Sequence, residues 1–257
     1  MIDKKLVVFL NKKVKEYNQP SFIAADPICI PHRFTRLQDI EIAGFFAAIF
    51  AWGNRTTIIN KTAGLMALMD NAPYDFCRHH SSQDLKQLLH FKHRTFTPTD
   101  LLYFIEFFHM HYSQHPLLEA AFTKHMQPSD ENITNALNGF YQYFFSLPHV
   151  PARTMKHIAC PAKKATCKRI NMYLRWMVRK DNCGVDFGIW KNIRPSQLVI
   201  PLDVHVARVA REFNLLQRPQ NDWLAALELT AQMKTLNEAD PARYDYALFA
   251  LGVLEKF

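Results

Sequence analysis

The chain has 257 residues, 31 of them Lys or Arg and 23 Asp or Glu, which gives a formal net charge of +8. This length allows one large domain or two closely joined subdomains with a buried core, so stability needs neither metals nor disulfides. The positive charge favours an anionic partner such as nucleic acid, although many basic proteins bind none. No apolar run is long enough to span a membrane, and residues 1–5 lead into an amphipathic segment instead of a signal sequence, so we expect a cytoplasmic protein.

The cysteines are odd in number and widely spaced, and no Cys-x-x-Cys occurs. This pattern fits neither a disulfide framework nor a zinc or iron–sulfur site, so we expect free thiols. The residues are Cys29, Cys77, Cys160, Cys167 and Cys183.

Seven glycines, few alternating β-type runs and many apolar-periodic segments predict an almost entirely helical protein. Two aromatic-rich stretches, 101–108 and 140–145, have helical spacing and are expected to pack in the core instead of stacking on bases. The predicted helices lie near 3–17, 38–52, 55–70, 82–90, 98–112, 115–125, 131–146, 162–180, 203–213, 221–235 and 241–254.

The helix predicted at 38–52 is so rich in apolar residues that it is expected to be buried on most sides, with Asp39 as its N-cap. Gly53 can end it in a left-handed conformation, and Asn54 or Thr56 can start the next helix. Such a break presents polar groups at the edge of a cleft. Trp52, Asn54 and Arg55 are therefore candidates for contact with a base; a packed Trp52 and a solvated Arg55 are the alternative.

The segment predicted as a helix at 162–180 begins with Pro161, which is favoured in a first helical turn. On a helical projection, its cations fall within about 60° of one another, opposite the apolar residues. This stripe is either a DNA-phosphate contact or a solvated face. Its members are Lys164, Lys168, Arg175 and Arg179, with Arg169 beside them.

Lys168 is the lysine best surrounded by cations, and their charge favours loss of its proton, which an amine needs before it can attack C1′ of a deoxynucleoside. Asp203 precedes an apolar-periodic segment and by position is an ordinary N-cap. A capping carboxylate that faces a cleft can also stabilise a cationic sugar or move protons. His205, Arg208 and Arg211 follow it; the arginines are candidates for phosphate contact.

Residues 200–211, an apolar–Pro–apolar–Asp–x–His run that opens an amphipathic helix, resemble a hallmark of the helix-hairpin-helix (HhH-GPD) DNA glycosylase superfamily. Weaker matches at 47–61 and 247–252 flank it in the expected order, and together they cover roughly residues 38–254. The long Lys168-to-Asp203 interval is similar to that of the archaeal 8-oxoguanine glycosylase branch. Shorter stretches, at 174–179, 186–190 and 244–249, resemble a bacterial family known only as a domain of unknown function.

The chain departs from the glycosylase pattern at the hairpin. Residues 157–164 contain no glycine, whereas glycines in the usual hairpin let backbone N–H groups approach a phosphate. The iron–sulfur loop of the endonuclease III type is not expected after the last core helix.

The resemblance implies an all-α fold of two helical subdomains with a cleft between them. Core helices at about 38–70 and 221–254 would carry an inserted subdomain at about 82–213 within a single unit spanning 1–257. It implies a monomeric DNA glycosylase with AP lyase activity that flips a damaged base out of double-stranded DNA, with 8-oxoguanine as the first expected lesion. Lys168 would be the Schiff-base nucleophile and Asp203 the catalytic carboxylate, with no metal or cofactor. The alternatives are a nucleic-acid-binding protein without catalysis on the same fold, and a helical scaffold whose basic face meets an acidic protein.

Overall fold

Residues 2–255, the part of the chain that the computed structural model describes, fold into α-helices joined by short 3-10 turns, and the fold is all-α. Within this range, β pairing is limited to one isolated bridge between His93 and Phe96. The helices are α1 (Lys4–Tyr17), α2 (Pro20–Ile23), α3 (Leu37–Ile49), α4 (Arg55–Leu68), α5 (Pro73–His79), α6 (Ser82–Gln87), α7 (Pro98–Gln114), α8 (Glu119–Thr123), α9 (Thr134–Phe144), α10 (Lys168–Val178), α11 (Val204–Glu212), α12 (Trp223–Lys234) and α13 (Asp245–Phe249).

The predicted helices agree with most of these bounds, and the differences have local causes. The short helices α2 and α5 were not predicted, because each spans less than two turns and shows little apolar periodicity. The segment predicted at 241–254 is divided into a 3-10 turn at Pro241–Tyr244, α13 and a π-helical turn at Ala250–Leu254.

The central helix is α3, in which every residue from 39 to 49 is buried, as its composition predicts. Gly44 lets α10 pack closely on α3, because a Cβ there would lie 3.2 Å from Met177 Cε and 3.4 Å from Tyr173 Cε2. The prediction for Asp39 was wrong: Arg36 holds the N-cap position, and Asp39 instead accepts a hydrogen bond from the Tyr74 backbone N–H.

The aromatic stretches on α7 and α9 form a continuous cluster against α3, as predicted for core packing. The rings of Phe107 and Phe144 lie 4.4 Å apart, and Phe122 stacks on Phe140 at 4.0 Å. Phe104 and Phe108 are fully buried in the same cluster. Aromatic side chains bury a large apolar area, so this cluster fixes α3, α7 and α9 as one framework behind the cleft described below.

None of the helices within residues 2–255 has the length and apolarity needed to cross a membrane. The five cysteines are free thiols.

Candidate active site

Lys168 is the first residue of α10, and an irregular segment places it there. Pro161–Lys163 forms a 3-10 turn, after which Lys164 and Cys167 adopt left-handed conformations with φ of 58° and 55°. Non-glycine residues are uncommon in this region, so the chain turns twice without the glycines that favour such turns. The helix predicted from 162 therefore starts six residues later, and Lys164 lies outside it, exposed to solvent.

Asp203 is the N-cap of α11, as predicted. Its Oδ1 accepts hydrogen bonds from the backbone N–H groups of His205 and Val206, both at 2.9 Å. Its Oδ2 lies 2.8 Å from Lys168 Nζ. The structure thus brings together the two residues that the sequence singles out, 35 positions apart in the chain.

The environment of Asp203 favours its charged form. Burial alone would raise the pKa of this carboxyl. The combined effect of Lys168 and of the hydrogen bond from the Val206 N–H is larger and opposite, so the pKa lies below its usual value. In the resting protein Asp203 is therefore a carboxylate. The Lys168 side chain is 29% exposed and that of Asp203 14%, so solvent and a ligand can reach the pair from one side.

The pair lies in a cleft of about 670 Å³, a size typical of small-molecule sites. Trp52 and Arg55 from the α3–α4 connection and Phe249 from α13 line it together with Met172 of α10. The π-helical turn contributes Val253. The cleft therefore combines aromatic surface with an amine and a carboxylate.

The α3–α4 connection agrees with the prediction at Asn54 but not at the end of α3, whose C-cap is Phe50 and not Gly53. Gly53 has a φ of 108°, and Asn54 is the N-cap of α4, with its Oδ1 accepting a hydrogen bond from the Thr57 N–H. The guanidinium of Arg94 lies 4.8 Å from the centre of the Trp52 ring, and that of Arg55 lies 5.4 Å from the centre of the Phe249 ring. Trp52 and Arg55 line the cleft, whereas Asn54 is exposed beside it.

His205 lines the cleft and is exposed, in the first turn of α11. Arg208, on the next turn, donates to the Gly252 carbonyl at 3.4 Å and lies 3.5 Å from Glu212. Arg169 also lines the cleft, but its guanidinium donates to the Ile49 carbonyl, and burial lowers its pKa. Arg169 thus ties α10 to the end of α3.

The expectation of an exposed cationic stripe was wrong. Arg175 and Arg179 are 4% and 2% exposed, because their guanidinium groups bind buried carboxylates. Arg179 Nη1 lies 2.9 Å from Asp186 Oδ2, and Arg175 pairs with both Asp186 and Asp245. Both arginines point into this ion cluster and away from solvent, so α10 presents Lys168 alone of the four predicted cations at the cleft.

Two further ionisable residues line the cleft and were missed from the sequence. Asp26 is 6% exposed, and burial raises the pKa of its carboxyl. His157 is 3% exposed, and burial lowers its pKa to about 4, so this imidazole is neutral. Asp26 precedes Pro27, which from sequence is an ordinary cap signal, and neither residue lies in a periodic segment. Among the described residues, no group of three or more His, Cys, Asp or Glu side chains is placed to hold a metal ion.

A family model described as "Protein of unknown function (DUF2400)" matches residues 26–254. No glycosylase family model matches, so the resemblance to the HhH-GPD superfamily, including its archaeal 8-oxoguanine branch, was wrong as an identification. No curated protein and no solved structure matches the chain significantly. The matched range contains α3, α10, α11 and every cleft residue named above, and the chain belongs to the DUF2400 family.

Proposed function

We propose that the protein is a DNA repair glycosylase with AP lyase activity, in which Lys168 forms a Schiff base with deoxyribose. The observation that carries this proposal is the 2.8 Å contact between Lys168 Nζ and Asp203 Oδ2 inside the cleft. An amine that can pass a proton to a rigid carboxylate, and can then attack carbon, is the minimum equipment for this chemistry.

In the proposed mechanism Lys168 gives a proton to Asp203, and its lone pair attacks C1′ of the damaged nucleotide. The C1′–N bond breaks, and the base leaves with the bonding electrons. Opening of the sugar ring yields the iminium between Nζ and C1′, from which the strand is cleaved. As the ring opens, the attacking nitrogen passes one of its protons to O4′. Asp203 releases the proton that it took from Lys168 to solvent, and the restored carboxylate lies where it stabilises the cationic sugar.

The lining of the cleft supports an extrahelical base as the ligand. The target atom C1′ is inaccessible inside a stacked duplex, so the nucleotide must rotate out into a pocket. Trp52 and Phe249 offer aromatic surfaces to such a base. A preference for 8-oxoguanine was implied only by the overturned resemblance, and 8-oxoguanine is therefore one of several lesions to be tested.

The charge distribution around the cleft supports a polyanionic partner. Residues 151–169 contain several Lys and Arg and no Asp or Glu. Arg153, Lys156, Lys163 and Lys164 are exposed there, and Arg153 donates to the Thr95 carbonyl, next to the Arg94 that covers Trp52. Exposed cations of this kind bind phosphates and give salt-dependent affinity. We propose double-stranded DNA as the partner of a monomer in the cytoplasm.

We also propose that the cleft separates two helical subdomains. Residues of the 38–70 and 221–254 segments, including Trp52 and Phe249, line it together with Lys168 and Asp203 of the 82–213 segment. This division supports a site between two groups of helices.

Sodium borohydride trapping tests the function. We expect wild-type protein to form a covalent adduct with a duplex that carries an abasic site and with one of the duplexes that carry 8-oxoguanine or uracil. Borohydride reduces the iminium to a stable amine, so Lys168→Gln should abolish the adduct. Lys163→Gln and Lys164→Gln are matched controls on exposed lysines a few residues upstream, and both should retain it.

Each of the other outcomes would indicate a different nucleophile or a different function. An adduct that survives in Lys168→Gln and disappears in Lys164→Gln would transfer the nucleophile to Lys164. Absence of any adduct, with duplex binding that weakens as salt rises, would establish nucleic-acid binding without catalysis. Absence of both adduct and binding would favour a scaffold function.

A further inference from the structure

Among the buried carboxylates within residues 2–255, Asp26 and Asp39 each accept a single hydrogen bond, and of these two only Asp26 lines the cleft. Asp26 is the N-cap of the 3-10 turn Pro27–Cys29, and its Oδ1 accepts one hydrogen bond, from the Ile28 N–H at 3.1 Å. Within residues 2–255, Oδ2 makes no hydrogen bond and no ion pair. By contrast, the buried Asp100 accepts from Thr97 and Thr154.

An almost fully buried carboxylate with one hydrogen bond is unstable as an anion, so burial favours its protonated form. The charges that act on Asp26 are those of Arg175 and Lys168 on α10 and Arg55 on α4, and each of them lowers its pKa. Burial outweighs them, and the pKa is raised. The cleft thus holds one carboxyl group that favours a proton, Asp26, and one that is kept ionised, Asp203.

We propose that Asp26 is the proton donor to the departing base. This inference rests on the proposed glycosylase activity. As the C1′–N bond breaks, the O–H bond of the Asp26 carboxyl breaks too, and the proton goes to the base nitrogen that receives the electron pair. The base leaves neutral, Asp26 is left as a carboxylate, and Lys168 remains bound to C1′. Two carboxyls with pKa values shifted in opposite directions are the arrangement expected of an acid and a base that act at one site.

Comparison of two substrates isolates this step, because an abasic site has no base to protonate. Asp26→Asn keeps an oxygen for the Ile28 N–H but has no acidic proton. We expect this variant to release base from the lesion duplex about 10²- to 10⁴-fold more slowly than wild type in single-turnover assays. Its borohydride adduct with a preformed abasic site should form at a rate within about twofold of wild type. The matched control is Asp203→Asn, which should lose both reactions.

The pH profile of the wild-type protein gives a second measurement that needs no variant. A proton donor must be protonated, so base release should fall as the pH rises past the raised pKa of Asp26, and adduct formation at the abasic site should lack that limb. Base release by Asp26→Asn at the wild-type rate, or equal loss of both reactions, would overturn the proposal. A limb shared by both substrates would also overturn it. If wild-type protein forms no adduct with the abasic duplex, the proposed function itself fails.

Discussion

The two oxygens of the Asp203 carboxylate have separate partners. Oδ1 is held by two backbone N–H groups at the start of α11, and this prevents rotation of the carboxylate. Oδ2 is therefore directed at Lys168 before any ligand binds. A group fixed in this way would lose little entropy in the proposed reaction, and such preorganisation is a main source of catalytic efficiency.

Replacement of Gly53 should have a predictable effect on the free energy of unfolding. The φ of 108° at Gly53 is strained for any side chain, and a Cβ there would lie 2.4 Å from Arg94 Nη1. We expect Gly53→Ala to lower the free energy of unfolding by about 1–3 kcal/mol, measured by urea denaturation. Gly64→Ala is the matched control in the exposed face of α4, where a Cβ meets nothing within 4 Å, and it should raise stability by about 0.5–1 kcal/mol. Equal signs for the two changes would refute this account of Gly53.

At the scale of one element, α10 has two ends with different surroundings. Lys168 at its N-terminus faces the cleft, whereas Arg175 and Arg179 in and after its last turn are buried among carboxylates. The two arginines join α10 to α13 and to the segment that follows α10. Lys168, the proposed nucleophile, is thus held on a helix that is anchored at its far end.

This anchoring predicts a large cost for removal of one carboxylate. Asp186 contacts both arginines and its side chain is fully buried, so Asp186→Asn removes from both buried guanidinium groups the one carboxylate that they share. Arg175 keeps Asp245, and Arg179 keeps the less buried Asp181 and Asp240. We expect a loss of about 3–5 kcal/mol in the free energy of unfolding. Asp75→Asn makes the same substitution in the exposed pair with Arg36, where the expected loss is about 0–1 kcal/mol. If the two variants had similar midpoints of urea unfolding, the expected difference between the buried and the exposed ion pair would be disproved.

Helix α10 shows which structural features could be predicted from the sequence and which could not. Periodicity correctly identified a helix that packs through Tyr173 and Met177 on α3. It could not distinguish a solvated cation from a buried one, because Asp245, the partner of Arg175, lies 70 residues away in the chain. The start of the helix was also misplaced, since Lys164 and Cys167 adopt left-handed conformations that sequence associates with glycine.

At the scale of the whole molecule, Glu41 links α3 through buried hydrogen bonds to segments that are distant in the sequence. It is fully buried on α3 and accepts hydrogen bonds from the Tyr112 hydroxyl, the Leu118 N–H and the Trp190 indole N–H. Burial raises the pKa of Glu41 to about 7, although these hydrogen bonds lower it. No cation pairs with it among the described residues.

Glu41 therefore predicts a pH dependence of stability. In the unfolded chain the carboxyl of Glu41 has its ordinary pKa of 4.5, so above that pH only the folded protein keeps the proton. The stabilisation that Glu41 contributes is therefore complete below pH 4.5 and is lost as the pH rises through about 7. We expect wild type to lose stability relative to Glu41→Gln between these values, by at most about 1.4 kcal/mol per pH unit. Urea unfolding at a series of pH values measures both proteins. Parallel curves would contradict the assignment to Glu41.

The all-α architecture followed from composition and periodicity, whereas the site followed from them only in part. Asp203 and Gly53 were predicted because capping and left-handed turns are local properties. The contact of Lys168 with Asp203 was expected from a resemblance that proved wrong as an identification, and no spacing rule predicts it. Asp26 was missed because its significance depends on burial and on the lack of partners, which a sequence does not display.

The residues that line the cleft are spread over almost the whole described chain, and this affects when the site can form during synthesis. The lining runs from Asp26 to Val253, so a nascent chain cannot enclose the site until residue 253 has left the ribosome. Lys168 would be exposed long before α11 emerges with Asp203, and during that interval its amine has no aligned proton acceptor. On the proposed function, a partly synthesised chain would therefore lack the completed site and would be unable to cleave a DNA strand.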